Sequence, residues 1–196
     1  MKTQRIKIET IIKKLIKEFQ TSPDSFFSEC DFQYQLFCLL NANGFNTPTT
    51  TKDGKIITLV YPEYPSVNRI QLSRGKGYRV WYDLAILNPE FIRNSGYQTV
   101  LARDERDAKL WGENLLAAFE FKFFPKKRKN DISSVREDCL KLSLCPEIKN
   151  KYVLVFSNYT VTLSEIQTNK SNDIKSYWIT PTKAYSRFGG SPTFEK

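Results

Sequence analysis

No histidine occurs among the 196 residues, and the four cysteines, Cys30, Cys38, Cys139 and Cys145, form no C-x-x-C pair. Structural zinc takes Cys and His at short spacings, so zinc is not the expected metal. No stretch approaches the roughly 20 apolar residues that a membrane-spanning helix needs. The N-terminal segment opens with Lys2, Arg5 and Lys7, but Glu9, Lys13, Lys14, Lys17 and Glu18 keep interrupting it, so it lacks the apolar core of a secretory signal. These absences point to a cytoplasmic protein with no membrane partner, whose cysteines stay reduced and serve as small apolar residues. There is no internal repeat, and no helix-turn-helix, zinc finger or other separate nucleic-acid-reading module.

What the chain does have is positive charge and a core. Lys and Arg number 30 against 21 Asp and Glu, for a net charge of +9 and a pI near 9.3. That excess suits an anionic partner, nucleic acid first and an acidic membrane surface second; a merely soluble basic protein is the plainer alternative. An apolar fraction of 40% with 14 Phe argues for a folded chain, and the length suits one domain, residues 1–196.

Ile8, Ile11, Ile12, Leu15, Ile16 and Phe19 recur at helical spacing and predict a helix over Ile6–Phe19 with a Lys-rich outer face. That face could lie along phosphates, but a solvated face of a packed helix is the preferred reading. Ser28 and Asp31 carry a capping signature for a second helix, Ser28 to about Asn43, closed by Gly44. A polar loop, Thr47–Gly54, follows. Strands are expected at Ile56–Tyr61, Val67–Ser73 and Tyr78–Leu87, with Arg74-Gly75-Lys76-Gly77 as a hairpin turn between the last two. Residues 88–113 read as a polar insertion with a short helix near Asp104–Trp111. Then come a strand at Leu115–Phe123, a helix at Ser133–Leu144 with Val135, Cys139 and Leu142 inward, and a central strand at Tyr152–Ser157. Thr160–Asn169 is ambiguous between helix and loop, Ser176–Thr180 is the last strand, and an irregular tail starts at Pro181. The order predicts an α/β fold with a mixed central sheet flanked by helices.

Two strands carry charges that an apolar strand does not need. Side chains alternate across a strand. Phe119, Phe121 and Phe123 therefore point one way, and Ala118, Glu120 and Lys122 the other; Trp81, Asp83 and Ala85 are likewise expected to share a face. Burying such charges costs several kcal/mol each unless they are paired or bind metal. Two carboxylates converging on a point repel, and a Mg²⁺ between them removes the repulsion with the oxygen ligands that ion prefers. The ion would polarise a phosphoryl oxygen and lower the pKa of a water, and Lys122 would orient that water or add positive charge. The structural alternative is a buried ion pair, Glu120–Lys122 or Asp83–Lys122.

Asp83 followed by Glu120-Phe121-Lys122 resembles the PD-(D/E)XK nuclease superfamily, the restriction-endonuclease-like fold. Tyr82 stands where the motif's proline would be, and the interval from Asp83 to Glu120 is long. The resemblance covers roughly Ser28–Ser157 and implies an αβββαβ core and a Mg²⁺-dependent endonuclease, with Mn²⁺ as a substitute. It also implies metal ligation by Asp83, Glu120, Glu29 (from the helix carrying Ser28-Glu29-Cys30-Asp31-Phe32-Gln33) and the backbone carbonyl of Phe121. Asp83, Glu120, Lys122 and Glu29 would then form the catalytic set. A non-catalytic nucleic-acid-binding module on the same fold is the alternative.

DNA is the expected partner, with RNA and a homodimer left open. Lys126-Lys127-Arg128-Lys129 directly follows the Glu120 strand and would take phosphates on either side of the scissile bond. Gln33, Arg69, Arg74 and Lys76 extend that track. Tyr61, Tyr64, Tyr78 and Trp81 are read as core in preference to base-stacking platforms. Arg136, Asp138 and Lys141 occupy polar positions of their helix, from which they could reach the site or a phosphate.

Overall fold

The computed structural model describes residues 2–70, 78–101, 112–127, 131–159 and 173–186. The predicted turn at 74–77, the helix near 104–111, the segment 160–169 and the tail from 187 lie outside them.

Two helices lead the chain. α1 (Lys2–Thr21) buries Ile8, Ile11, Ile12, Leu15, Ile16 and Phe19, the stripe its sequence shows. α2 (Glu29–Ala42) starts on a true capping box: Asp31 Oδ2 accepts from the backbone N–H of Ser28 at 2.8 Å and of Phe27 at 2.7 Å. Those bonds hold the Asp31 carboxyl below its usual pKa. Gly44, at φ +76°, closes the helix with the left-handed residue that a C-terminal cap requires.

The polar loop that follows contains a minimal ribbon, β1 (Thr49–Thr50) against β2 (Ile56–Ile57). The six-stranded sheet comprises β3 (Val60–Ile70), β4 (Tyr78–Leu87), β5 (Leu115–Phe124), β6 (Lys151–Ser157), β7 (Ile174–Ile179) and β8 (Ala184–Ser186), in that spatial order. β3, β4 and β5 pair antiparallel, β5, β6 and β7 parallel, and β7 and β8 antiparallel. Helix α5 (Asp131–Ser143) provides the crossover from β5 to β6 that a parallel pair needs. The fold is therefore α/β with a mixed central sheet flanked by helices.

Three expectations are corrected. The separate strands foreseen at Ile56–Tyr61 and Val67–Ser73 are β2 and one long strand, β3, which runs through Pro62 and Pro65. It can do so because β3 is an edge strand, where a missing N–H costs no ladder bond on the free side. Residues 88–113 are not simply irregular: α3 (Pro89–Asn94), capped by Asn88 accepting from Glu90 N–H, and α4 (Tyr97–Val100) sit in them. Their Phe91, Ile92 and Val100 enter the core. Ile174–Ile179 is not the last strand, since β8 returns antiparallel beside it.

Each face of the sheet has its own core. α1 and α2 cover Leu84, Ile86, Phe119, Phe121, Tyr152, Leu154 and Phe156, with Phe32 stacked on Phe156 at 3.9 Å between ring centroids. α5 covers the other face, placing Val135, Cys139 and Leu142 on Ala85, Ala118, Val153 and Val155. Cys139 and Cys145 are buried thiols, whereas Cys30 is exposed, against the expectation of small apolar packing there.

Candidate active site

β4 accompanies β5 from Leu87↔Leu115 only as far as Leu84↔Phe119. At the next residue both strands of the β3–β4 hairpin deform. Glu63 adopts φ +49°, and the Glu63–Asp83 step is missing from an otherwise continuous register between Pro62↔Leu84 and Tyr64↔Tyr82. The alternation of β4 breaks there. Tyr82 and Val80 join Ala85 in the core under α5, while Leu84 belongs to the opposite core. Trp81 is 51% exposed. The expected shared face of Trp81, Asp83 and Ala85 is thus overturned, because the hairpin turns over at Asp83.

The turn sends the Asp83 carboxylate to the open edge of β5. Ala118 N–H donates to Asn150 O, and Phe124 O accepts from Asn158 N–H. From Ala118 onward the even-numbered residues of β5 therefore turn their backbone groups to β6, and Phe121 and Phe123 turn theirs to the side β4 has left. Asp83 Oδ2 accepts from Phe121 N–H at 2.6 Å, and Glu29 Oε1, from the first turn of α2, accepts from Phe123 N–H at 3.2 Å. By the same alternation the Phe121 carbonyl opens on this gap. Gln33 donates through Nε2 to the Asp83 carbonyl and to Glu63 Oε1, tying α2 to the kink.

Glu120 and Lys122 emerge on the face opposite Phe119 and Phe121, as the alternation predicts; that face lies under α5, while Phe119 and Phe121 pack beneath α1 and α2. The ion pairs foreseen as the structural alternative, Glu120–Lys122 and Asp83–Lys122, do not occur among the described residues. α5 supplies the partners instead. Lys122 Nζ lies 2.9 Å from Asp138 Oδ2 and 3.9 Å from Glu29 Oε2. Lys141 Nζ lies 2.5 Å from Glu120 Oε2 and donates to the Trp81 carbonyl at 3.0 Å. Asp138 and Lys141 sit three residues apart on the helix, next to the inward Cys139 and Leu142. Glu120 is 1% exposed, and its Oε1 has no partner among the described residues.

Burial dominates the electrostatics. It pushes the Asp83 carboxyl up to about 6, against the Phe121 N–H bond and the two ammonium groups. It lifts the Glu120 carboxyl well above its usual range, with the Asp83 charge adding to the rise. For Lys122 desolvation pulls down, but Asp138, Glu29 and Asp83 together carry it above its ordinary value. At both strand carboxylates burial thus outweighs the nearby lysines.

Beside the site, Tyr82 OH and Ser66 Oγ both donate to Glu147 Oε1, at 2.7 and 2.6 Å. This buried group fastens the far half of the β3–β4 hairpin to the segment after α5. Burial, followed by the Glu147 charge, raises the Tyr82 hydroxyl.

Among the described residues no three acidic or Cys side chains gather into a metal cage. The donor set nonetheless suits a hard cation: the buried Glu120 carboxylate, whose Oε1 has no partner among the described residues, the half-buried Asp83 carboxylate, and a backbone carbonyl facing the same gap. Lys126 and Lys127, beyond the end of β5, are exposed. Arg74, Lys76, Arg128 and Lys129 lie outside the described residues, as does the side chain of Arg69. A hollow of about 600 Å³ is lined by α1 and α2 residues such as Lys14, Glu18 and Tyr34 and includes none of the acidic site residues. Comparison with protein-family models, with curated proteins and with solved structures gives no match to this chain.

Proposed function

We propose that this chain is a Mg²⁺-dependent endonuclease that hydrolyses phosphodiester bonds of DNA, on a restriction-endonuclease-like core of the PD-(D/E)XK type. The observation that carries the reading is the open edge of β5. There Asp83 and Glu29 cap the Phe121 and Phe123 N–H groups beside a buried Glu120 with one oxygen unpartnered among the described residues. The element order α2, β3, β4, β5, α5, β6 supports it, being the αβββαβ order of that core. Asp83, Glu120, Glu29 and the Phe121 carbonyl would hold Mg²⁺, or Mn²⁺ in its place. When bound, the ion supplies polarisation of a phosphoryl oxygen and a water of lowered pKa.

The chain's own residues do the rest. Asp138 and Glu29 hold the Lys122 ammonium at the gap, where it can donate to a non-bridging phosphate oxygen. Lys126 and Lys127 take neighbouring phosphates and fix the register of the strand without reading its bases. An open strand edge admits a polymer where a closed pocket would not.

The test is cleavage of plasmid and branched DNA with Mg²⁺ or Mn²⁺, with and without EDTA. Asp83→Asn and Lys122→Ala should each lower cutting by about 1,000-fold or more, an effect of oxyanion-stabiliser size, while DNA binding persists. Variants that cut as well as the parent would remove the site. The Lys141–Glu120 ion pair also suits a module that binds DNA without cutting it. Tight, salt-sensitive, metal-indifferent binding with no cleavage would favour that second reading.

A further inference from the structure

The cation that touches Glu120 comes from the helix and not from the strand motif. Lys141 Nζ meets Glu120 Oε2 at 2.5 Å and the Trp81 carbonyl at 3.0 Å, and stands 3.9 Å from Asp138 Oδ1. One ammonium thereby joins β4, β5 and α5 across the gap where the strands part. Lys122 does not share this place, since its Nζ rests on Asp138 and Glu29. Lys141 itself sits at the rim, with a side chain 16% exposed, so a solvated route out is open to it. Its position in the last turn of α5 leaves it tethered beside the gap after it lets go.

From this geometry we infer that Lys141 is a built-in competitor for the divalent cation, seated on Glu120 in the ion-free protein and displaced from it when the ion binds. The inference rests on the proposed reading of Asp83 and Glu120 as the metal-holding pair. A hard cation held by both oxygens of Glu120 has to expel the ammonium from Oε2, so the apparent affinity for the ion is scaled down to the fraction of molecules in which Lys141 has left that oxygen. The displaced ammonium carries its charge to the substrate side of the gap, where a phosphate can receive it. Lys141 is on this account a positioning residue. It keeps a buried carboxylate partnered until the ion arrives, and it sets the concentration at which the ion enters.

The experiment measures Mn²⁺ binding without nucleic acid, by the paramagnetic resonance signal of free Mn²⁺ and by calorimetry. It compares the parent chain with Lys141→Met, Lys141→Gln, Lys122→Met and Asp83→Asn, with melting followed by circular dichroism to confirm folding. Both Lys141 variants should bind Mn²⁺ at least ten-fold more tightly than the parent. That gain should exceed the gain in Lys122→Met, which removes the same charge but vacates no oxygen of Glu120. Gln keeps a polar group at the rim and serves if Met unfolds the site. Equal affinities, or equal gains at Lys122 and Lys141, at a site that Asp83→Asn weakens would overturn the competitor role and leave the nuclease reading standing. Absence of any Asp83-dependent Mn²⁺ binding in every variant would overturn both.

Discussion

Asp83 is where local backbone and chemistry meet. It drops out of the pairing with β3, accepts from Phe121 N–H, and is pushed by burial up to about 6. An acid whose folded pKa exceeds its unfolded value binds protons more tightly in the folded state. Its contribution is therefore favourable below the unfolded pKa and is lost as pH rises through the folded one. The rise from the usual 3.8 to about 6 corresponds to about 3 kcal/mol, lost between about pH 4 and pH 6. Asn cannot titrate, so Asp83→Asn should flatten that part of the stability profile. Urea denaturation of both proteins from pH 4 to pH 7 checks it, and parallel profiles would refute the shift. The charged set Asp83, Glu120, Lys122 and Glu29 was legible because each charge stands out in an apolar run or at a helix start. The roles of Asp138 and Lys141 were visible only as polar positions on α5, and polar helix positions are ordinary.

The elements were legible wherever periodicity was unbroken. α1, α2, α5, β5 and β6 follow their apolar spacing to within a residue or two, apart from the longer N-terminal start of α1. Legibility failed at the β3–β4 hairpin for two physical reasons. Prolines look like strand breakers, but an edge strand tolerates them, so β3 was split in two. A strict two-residue alternation assumes flat strands, whereas Glu63 in the left-handed region lets this hairpin turn over. That conformation carries a prediction. Glu63→Val puts a β-branched side chain where it is strongly disfavoured, and should cost about 1–3 kcal/mol. It should also weaken Mn²⁺ binding by moving Asp83 off Phe121 N–H. Thermal melting with and without Mn²⁺ reads both effects, and a variant of parental stability would show that the kink is not under strain.

Over the whole molecule, the net charge of +9 sets how an anionic polymer would be met. Each phosphate contact contributes about −0.9 to the slope of log affinity against log salt on duplex DNA. Changing Lys126 and Lys127 together to Ala should reduce the magnitude of that slope by about 1–2, with little change in melting temperature since both side chains are exposed. Fluorescence anisotropy over a salt series measures it, and an unchanged slope would take these lysines off the DNA path. The layered α/β plan followed from the order of periodic segments. The extra strand β8 escaped because three residues are too few to show a period.

Pro62 and Pro65 both lie in β3, on the sheet's free border. A proline nitrogen has no hydrogen to give, so a second chain aligning along this border would find gaps in its bonding row. The same two residues that disguised β3 in the sequence thereby make it a poor template for runaway fibre growth. If two copies act together to cut both strands of a duplex, they would do better to meet through side chains than by extending this sheet.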